Sequence, residues 1–523
     1  MKIVIVENPR PLTPEHYNDV ANAPLSASLN SGYALAVSRC AGWDAVHLDF
    51  TSHAGDAADL AIPILAEEAD LILFHWVYAW GHETVVRDLL ARVRRESAVP
   101  LGAFGIFPTL SRQRLLQYAP CLDFILCGEF EDTLADLLQG FGAGGAIGPL
   151  PGVALRGQGG APRQPVDDLD RLPLPDDIGN NRRYASLNMA ASRGCFGRCS
   201  FCFIRSYYGC GRRRVRPPAS LERELAARLA RRRDISSIYF VDPTFVGHGG
   251  AERQRVVEIG RIAKRFGLPF GFETRVDTLD EDIMATLAAC GAESVFLGIE
   301  SGCDSVLQRI GKRIDTEQIR RAVQVVRGSG ARLNLGFIMF EPDTCLAELE
   351  ENYAFLEGLE LLNHHELTAN LLYHNQIVLH GSTAWRRFSR EKRLLLDGRL
   401  PFEARYRFRD ERVGQVCAAM GRLSTAYFAG MDGLRGMAGD IGRKGCGVMG
   451  DGMHGFSPDD VNALLKEAFR SFCAAAGNRS PHDVAFLEER HRHSLQQMLA
   501  IRNSGPDVNA ESSGYLISAD LPL

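Results

Sequence analysis

The sequence predicts an α/β protein in three parts: a doubly wound, mostly parallel sheet, a second series of βα units, and a mostly helical C-terminal region. Three observations carry this reading. Over residues 1–145, short continuous apolar runs alternate with helical stretches, as strands buried on both faces do. A second alternation of strand and helix patterns runs from about 185 to 390. From 391 to 523 the periodicity is that of amphipathic helices. At 523 residues the chain supports about three domains.

The totals narrow the function classes. An apolar share of 46% with 24% charged residues is ordinary for a soluble globular protein. A net charge of −5 supplies no basic field for nucleic acid. Thirteen cysteines without paired spacing do not make a secreted disulfide scaffold, so a reduced, cytoplasmic setting is expected. Met1 runs directly into a strand pattern, and no apolar run is long enough to span a bilayer.

In the first part the strands are expected at Ile3–Val6, Ala45–Phe50, Leu71–Phe74, Leu101–Phe104 and Phe124–Cys127. Such sheets take ligands beyond the carboxyl ends of their strands. The loops to watch are therefore Glu7–Pro9, His75–Trp80, Gly105–Thr109 and Gly128–Thr133. Residues 146–184 form a Gly/Pro-rich and then acidic linker, with Val153–Leu155 folding back as an edge hairpin.

The second part opens on Cys195-x3-Cys199-x2-Cys202. Thiolates are soft ligands for zinc or iron–sulfur clusters, and a closed site takes four. Three without a fourth suggest a 4Fe–4S cluster with one open iron. A zinc ribbon would want a second pair some 15–20 residues on, whereas Cys210 is alone and the next cysteine is Cys290. Downstream, Ser220 is the expected N-cap of a helix Leu221–Arg232. Strands are expected at Ser237–Asp242, Pro269–Glu273, Ser294–Gly298, Leu333–Phe340 and Leu367–Tyr373, with helices at Ala251–Arg265, Glu281–Ala289 and Thr316–Gly328. Six units are too few to close an eight-stranded barrel, and functional residues belong at the carboxyl ends of the strands. Those ends offer Asp242, Glu273 with Arg275, and Glu300 with Ser301. For Glu273 and Arg275 a structural pair is an equal alternative. Glu300 reads as functional, because a carboxylate there otherwise meets a desolvation cost. His364, His365, Tyr373 and His374 are candidates to line the cleft, while Arg212–Arg214, Arg216 and Arg231–Arg233 read as solvated surface.

In the third part helices are expected at Glu411–Met431, Pro458–Ala476 and Pro481–Ile501, with a loop over Arg443–Gly455 and a disordered tail. Met420, Met431 and Met437 read as core filler.

The cysteine motif with its following aromatic, Phe203, resembles the signature of radical S-adenosylmethionine (SAM) enzymes. Phe296-Leu297-Gly298-Ile299-Glu300-Ser301-Gly302, with Asp304, Leu307 and Lys312, resembles the cobalamin-binding branch of that superfamily. The resemblance covers roughly residues 1–390. It implies a Rossmann-like cobalamin-binding domain at 1–145, a linker at 146–184, a partial (β/α)6 radical SAM barrel at 185–390, and a helical substrate or cap domain at 391–523. It implies three cofactors: a 4Fe–4S cluster on Cys195, Cys199 and Cys202, SAM, and cobalamin. Gly105-Ile106-Phe107-Pro108-Thr109 and Gly128-Glu129-Phe130-Glu131 resemble turns of the cobalamin domain, which makes Pro108, Thr109, Gly128 and Glu129 cofactor contacts. No Asp-x-His-x-x-Gly motif occurs between residues 1 and 145, which leaves two readings for His75, after the third strand: a reach to the lower cobalt face or, the preferred one, packing beneath the corrin. Trp76, Tyr78 and Trp80 would pack beneath the corrin with it. Glu273, Arg275, Gly298, Glu300 and Ser301 are the implied SAM contacts, and Glu273 and Tyr373 the implied catalytic residues. Phe340-Glu341-Pro342-Asp343-Thr344 departs from the family's Gly-x-Pro-Gly-Glu-Thr, while His380-Gly381-Ser382-Thr383-Ala384-Trp385 resembles a family turn.

The activity implied is C-methylation, of the class B type, of a small-molecule or peptide natural product, by a radical or a polar route. Its partners would be that substrate and an external electron donor such as flavodoxin or ferredoxin. No nucleic acid or membrane partner is expected, and the chain is expected to be a monomer. The alternatives are a non-methylating enzyme (an oxidative cyclase or a rearrangement catalyst), a cobalamin sensor that has lost catalysis, and a transfer-RNA methylthiotransferase. The last would want a different cysteine-rich first domain and an RNA-binding module.

Overall fold

Two groups of aliphatic strands organise the chain into two separate parallel sheets. The computed structural model describes residues 1–9, 29–51, 56–77, 83–158, 160–177, 185–396, 402–439, 457–478 and 480–500. The first sheet contains β1 (Lys2–Glu7), β2 (Asp44–Asp49), β3 (Leu71–His75), β4 (Leu101–Phe104), β5 (Phe124–Leu126) and β6 (Val153–Leu155), in the order β2-β1-β3-β4-β5-β6. All pairings are parallel except β6, which runs antiparallel to β5 and forms the expected returning edge. Helices α1 (Leu29–Cys40), α2 (Ala57–Ala66), α3 (Glu83–Glu96), α4 (Ile106–Tyr118) and α5 (Glu131–Gly142) complete the doubly wound unit. One apolar core joins Val4, Ile72 and Ala103 to α2, α3 and α4. The other joins Ile5, Leu73 and Phe104 to α1 and α5. The period-2 alternation within each strand therefore feeds two layers.

The second sheet contains β7 (Ser186–Met189), β10 (Ser237–Phe240), β11 (Phe270–Arg275), β12 (Ala292–Glu300) and β13 (Arg332–Phe337). Its order is β13-β12-β11-β10-β7, parallel throughout. Between β7 and β10 lie a two-residue antiparallel ribbon, β8 (Ser192–Arg193) with β9 (Arg214–Val215), and the helices α6 (Ile204–Tyr207) and α7 (Pro218–Arg231). Helices α8 (Gly250–Arg265), α9 (Glu281–Ala289), α10 (Asp304–Arg309), α11 (Thr316–Gly328) and α12 (Leu346–Gly358) follow their strands. Phe270 and Phe272 point into the helical layer, which sends Gly271, Glu273 and Arg275 to the concave side.

Three expectations are corrected. Leu367–Tyr373 is not a sixth strand but lies in helix α13 (His365–Tyr373), and the sixth position of the sheet is a single parallel bridge between Phe340 and Asn375. An apolar run of that length suits either state, and packing against later helices decides for helix. Ser220 is not an N-cap: α7 starts at Pro218, and the Ser220 hydroxyl accepts a hydrogen bond from Arg216 at 2.9 Å. Arg213, Arg214, Arg216 and Arg232 are not solvated. Their side chains are 5–8% exposed, each on a carboxylate. Arg212 remains exposed, on Asp167.

The rest of the chain adds a small antiparallel sheet in the order β14-β16-β15 (Val378–Leu379, Glu403–Tyr406, Leu394–Leu395), with α14 (Thr383–Arg390) beside it. Helices α15 (Glu411–Gly439), α16 (Pro458–Gly477) and α17 (Pro481–Ala500) then bury Met420, Tyr427 and Phe469 in the same core as the barrel helices. Met431 packs against that core. The Met437 side chain, the Arg443–Gly455 loop and the C-terminal tail lie outside the described residues. Among the described residues no helix is long and apolar enough to cross a membrane.

Candidate functional site

The β8–β9 ribbon is the base of the cysteine loop, with Arg193 opposite Arg214. Gly194 turns the chain with φ +82°, and a Cβ there would meet the Arg212 carbonyl oxygen at 2.3 Å, so the turn needs glycine. Cys195, Cys199 and Cys202 follow, half-buried and none in a disulfide. Burial raises the Cys199 thiol and pushes Cys202 up to about 12. Among the described residues no three His, Cys, Asp or Glu side chains are placed to hold a single ion. A 4Fe–4S cube needs no such point, because each iron takes its own thiolate. Three unpaired thiols on one loop, with cations beside them, fit that group. Its positive irons would offset the burial that raises Cys199 and Cys202.

Those cations come from the end of β11 and from the connection between α10 and α11. Arg275 is fixed by Asp277 at 2.8 and 3.1 Å and by the Lys312 carbonyl at 3.0 Å, with its guanidinium 5.5 Å over the Phe196 ring. It stands beside the loop: a Cβ on Gly197 would lie 3.0 Å from Arg275 Nη1 and 3.3 Å from Cys195 Sγ. Lys312 donates to Glu300 at 2.8 Å, and both are buried. Burial lowers the Lys312 ammonium pKa, but Glu300 and Cys199 outweigh it and the net shift is upward. Glu300 itself has φ +68°, a left-handed conformation rare for a residue with a side chain and concentrated at functional sites. Gly298 makes room for this pair: a Cβ there would sit 2.7 Å from Lys312 Nζ and 2.8 Å from Glu300 Oε1. Ser301 has turned away, donating to Asn352 at 2.8 Å and accepting from the Cys303 N–H.

Glu273 lies on the concave side of β11, where the Tyr239 hydroxyl donates to it at 3.3 Å. Burial, opposed by that hydrogen bond and reinforced by Asp242, pushes its carboxyl up to about 7. Asp242 is buried and accepts from the Ala191 N–H at 2.9 Å and from the Ser192 hydroxyl, tying the end of β10 to the start of the ribbon. Tyr373 is elsewhere. It ends α13, edge-on to Phe428 and His374, on the side of the C-terminal helices. His365 contacts the Tyr427 hydroxyl at 2.5 Å, and His364 is the N-cap of α13.

At the ends of the first sheet, His75 Nδ1 lies 2.8 Å from Glu7, whose carboxylate also accepts from Ser31 at 2.5 Å. Trp76 is buried edge-to-face on Phe107. Tyr78 and Trp80 lie outside the described residues. Pro108 and Thr109 occupy the first turn of α4, where Thr109 Oγ1 donates to the Gly105 carbonyl and accepts from the Gly128 N–H at 2.9 Å. Gly128 has φ +67° and sits against the Tyr207 carbonyl of the cysteine loop. Glu129 is fully engaged away from the loops of its own sheet. It accepts from the Val166 N–H at 3.0 Å, from Arg193 at 3.1 Å and from Arg214 at 2.5 Å. The turn at 380–384 touches α4 and the cysteine loop: His380 lies 2.8 Å from the Leu110 carbonyl, Gly381 accepts from Ser206 at 3.0 Å, and the Ala384 N–H donates to the Ser200 carbonyl at 2.8 Å.

Lys312 stands in the family pattern without an expected role, Arg214 was expected at the surface, and Arg193 and Tyr239 carried no expectation. The available signal was position. Arg193 falls two residues before Cys195, and Tyr239 shares the inward parity of its strand.

Residues 189–356 match the family model described as Radical SAM superfamily. Over 294 residues the chain is 28% identical to 4'-phospho-dehydrooxetanocin synthase of Priestia megaterium, covering 49% of this chain and 38% of that protein. The chain spans about half the length of the curated relatives it matches. Among solved structures it resembles the cobalamin-dependent S-adenosylmethionine radical enzyme OxsB with aqua-cobalamin and S-adenosylmethionine bound. There the TM-score is 0.76 at 17% identity, over 98% of this chain and 82% of that one. It also resembles the radical S-adenosylmethionine methyltransferase TsrM from Kitasatospora setae with cobalamin and a 4Fe–4S cluster bound, with a TM-score of 0.61 at 16% identity over 95% and 100% of the two chains. At these identities the structural likeness is one of fold. The chain thus carries a radical SAM domain, set within the architecture of the cobalamin-dependent radical SAM enzymes.

Proposed function

We propose that this chain is a cobalamin-dependent radical SAM methyltransferase acting on a carbon of a small-molecule or peptide natural product. The observation that carries the reading is the cysteine loop flanked by Arg275 and by the buried Lys312–Glu300 pair, with the first sheet docked against its base. Cys195, Cys199 and Cys202 would hold a 4Fe–4S cluster, SAM would bind against it, and cobalamin would lie at the strand ends of the first sheet. When bound, the cluster supplies the electron that cleaves the SAM sulfonium, and cobalamin supplies the methyl group.

The chain's own residues do the rest. Arg275 and Lys312 place positive charge beside Cys199, which favours its thiolate against the burial that raises it. Lys312 pairs with the buried Glu300 carboxylate at 2.8 Å and balances its charge there. With a carboxyl pKa of about 7, Glu273 can take or give a proton at neutral pH, as a group serving acid–base chemistry should. The Thr109–Gly128 hydrogen bond fixes the loops that would face the corrin, and the Glu7–His75 contact orients the imidazole beside them. Tyr373 is proposed only as a residue near the substrate side. An external flavodoxin or ferredoxin would supply electrons.

Anaerobic protein loaded with iron, sulfide and cobalamin is the test, incubated with SAM labelled in its methyl group and with candidate natural-product precursors. The expected outcome is 5′-deoxyadenosine together with label in a carbon-methylated product. A protein that loads zinc in place of the cluster, or takes up no cobalamin, overturns the proposal. A second reading, a non-methylating rearrangement or cyclisation with the same parts, is favoured by the higher TM-score to OxsB and by a curated relative named as a synthase. Product formation without transfer of label distinguishes it.

A further inference from the structure

Two carboxylates at the start of α5 reach out of the first sheet and grip the base of the cysteine loop. Glu129 accepts from Arg193 and Arg214, and Glu131 accepts from Arg193 at 2.6 Å. These two arginines face each other across the β8–β9 ribbon, and Arg193 lies two residues before Cys195. All four side chains are 9% exposed or less. The guanidinium of Arg193 also lies 4.9 Å over the ring of Tyr33 on α1, and that of Arg214 lies 5.5 Å over Tyr208, just past α6. The cluster is charge-balanced, two against two, but not saturated: Arg214 Nε and Nη2 and Glu131 Oε2 are buried without a partner. A buried ion network with orphaned donors is a poor device for stability alone, and fixing register is the best-attested use of such networks.

On its other side the same segment holds the loops facing the proposed corrin site. Gly128 precedes Glu129, donates its N–H to Thr109 and touches the Tyr207 carbonyl. One short stretch therefore bears on both proposed cofactor sites. We infer that Glu129 and Glu131 are positioning residues that couple cluster loading at Cys195, Cys199 and Cys202 to corrinoid binding by the first sheet. This inference rests on the proposed function above. An element that both sites bias links them thermodynamically: whatever factor the cluster adds to corrinoid affinity, the corrinoid adds to cluster retention.

Hydroxocobalamin is the probe, titrated by absorbance against full-length apo protein and against protein reconstituted anaerobically with iron and sulfide. The affinities are expected to differ by about fivefold or more, the lower end of ordinary coupling. Bound hydroxocobalamin should slow iron extraction by a chelator. In the double variant Glu129→Gln/Glu131→Gln each cofactor should still bind, but the ratio of affinities should fall to about one. If the double variant does not fold, Glu131→Gln alone, which leaves Glu129 on both arginines, should shrink the ratio. A ratio near one in the unaltered protein overturns the inference, as does a variant that melts earlier yet keeps the full ratio. If the unaltered protein takes up no hydroxocobalamin at all, the proposed function falls and the inference falls with it. Both cofactors bound without coupling sinks the inference alone.

Discussion

The two parallel sheets end in different ways. At the ends of the first, the buried carboxylate of Glu7 is satisfied locally by Ser31 and His75, while Glu129 and Glu131 point across to the other domain. At the ends of the second, Glu273, Arg275, Glu300 and Lys312 gather around the cysteine loop and the concave side. One of them is held in a left-handed conformation, and another is a carboxyl raised to about 7. The same architecture thus makes one surface that is quiet and shape-determined and another where charge is concentrated and constrained. Strain and perturbed ionisation gather where chemistry is done.

The largest effect that would sharpen the contrast is on the charged side. Alanine at Cys195, Cys199 or Cys202 should abolish the cluster's electron paramagnetic signal and SAM cleavage, yet leave the first sheet able to bind cobalamin with the affinity of the cluster-free protein. Next is Lys312→Met, which strands Glu300 as an unpaired buried charge and should destabilise the protein by about 3–5 kcal/mol in a urea titration. An unchanged midpoint would break the claim that the second sheet's ends are under constraint. Gly102→Ala tests the quiet sheet, since a Cβ there would press 2.3 Å from the Phe124 ring. Overpacking of that kind costs about 1–3 kcal/mol, and the loss should come with weaker cobalamin uptake and an unaltered cluster signal.

Glu273 gives a smaller effect with a definite sign. Its folded pKa, about 7, is raised above the ordinary 4.5, so the folded state holds the proton more tightly than the unfolded one. Stability of the cofactor-free protein should be greatest below pH 4.5 on this account and fall as pH rises towards 7. Glu273→Gln should flatten that slope, as read from urea midpoints across pH. The smallest effect is the control: Arg265→Gln removes exposed contacts to Glu222 and Glu258 and should leave the midpoint unchanged.

Much of this was legible in the residues. Leu101–Phe104 and Thr316–Gly328 form a strand and a helix over the expected residues, because one is a short apolar run between breakers and the other has strong 3.6-residue periodicity with Asp315 in a capping box. The cysteine loop was legible from spacing alone. Leu367–Tyr373 was not, because what makes it helical is packing against α15 and α16, supplied by residues 40 and more positions later. Arg213 and Arg214 read as surface because their partners are remote in sequence: Glu252 is 39 positions from Arg213 and Glu129 is 85 from Arg214. Nor does any pattern announce the left-handed Glu300. It follows from the bulge where β12 leaves register with β13 between Gly298 and Glu300.

The turn at 380–384 has a consequence for how such a protein can be divided. Its hydrogen bonds to Leu110, Ser206 and Ser200, and the Phe107–Phe402 ring contact at 4.6 Å, stitch late sequence into both earlier parts. A graft that moved either sheet to another host, cut at the Gly/Pro-rich linker, would carry away a wall with its mortise but without its tenon. Inheritance of these parts as interchangeable modules would need this turn to travel with them.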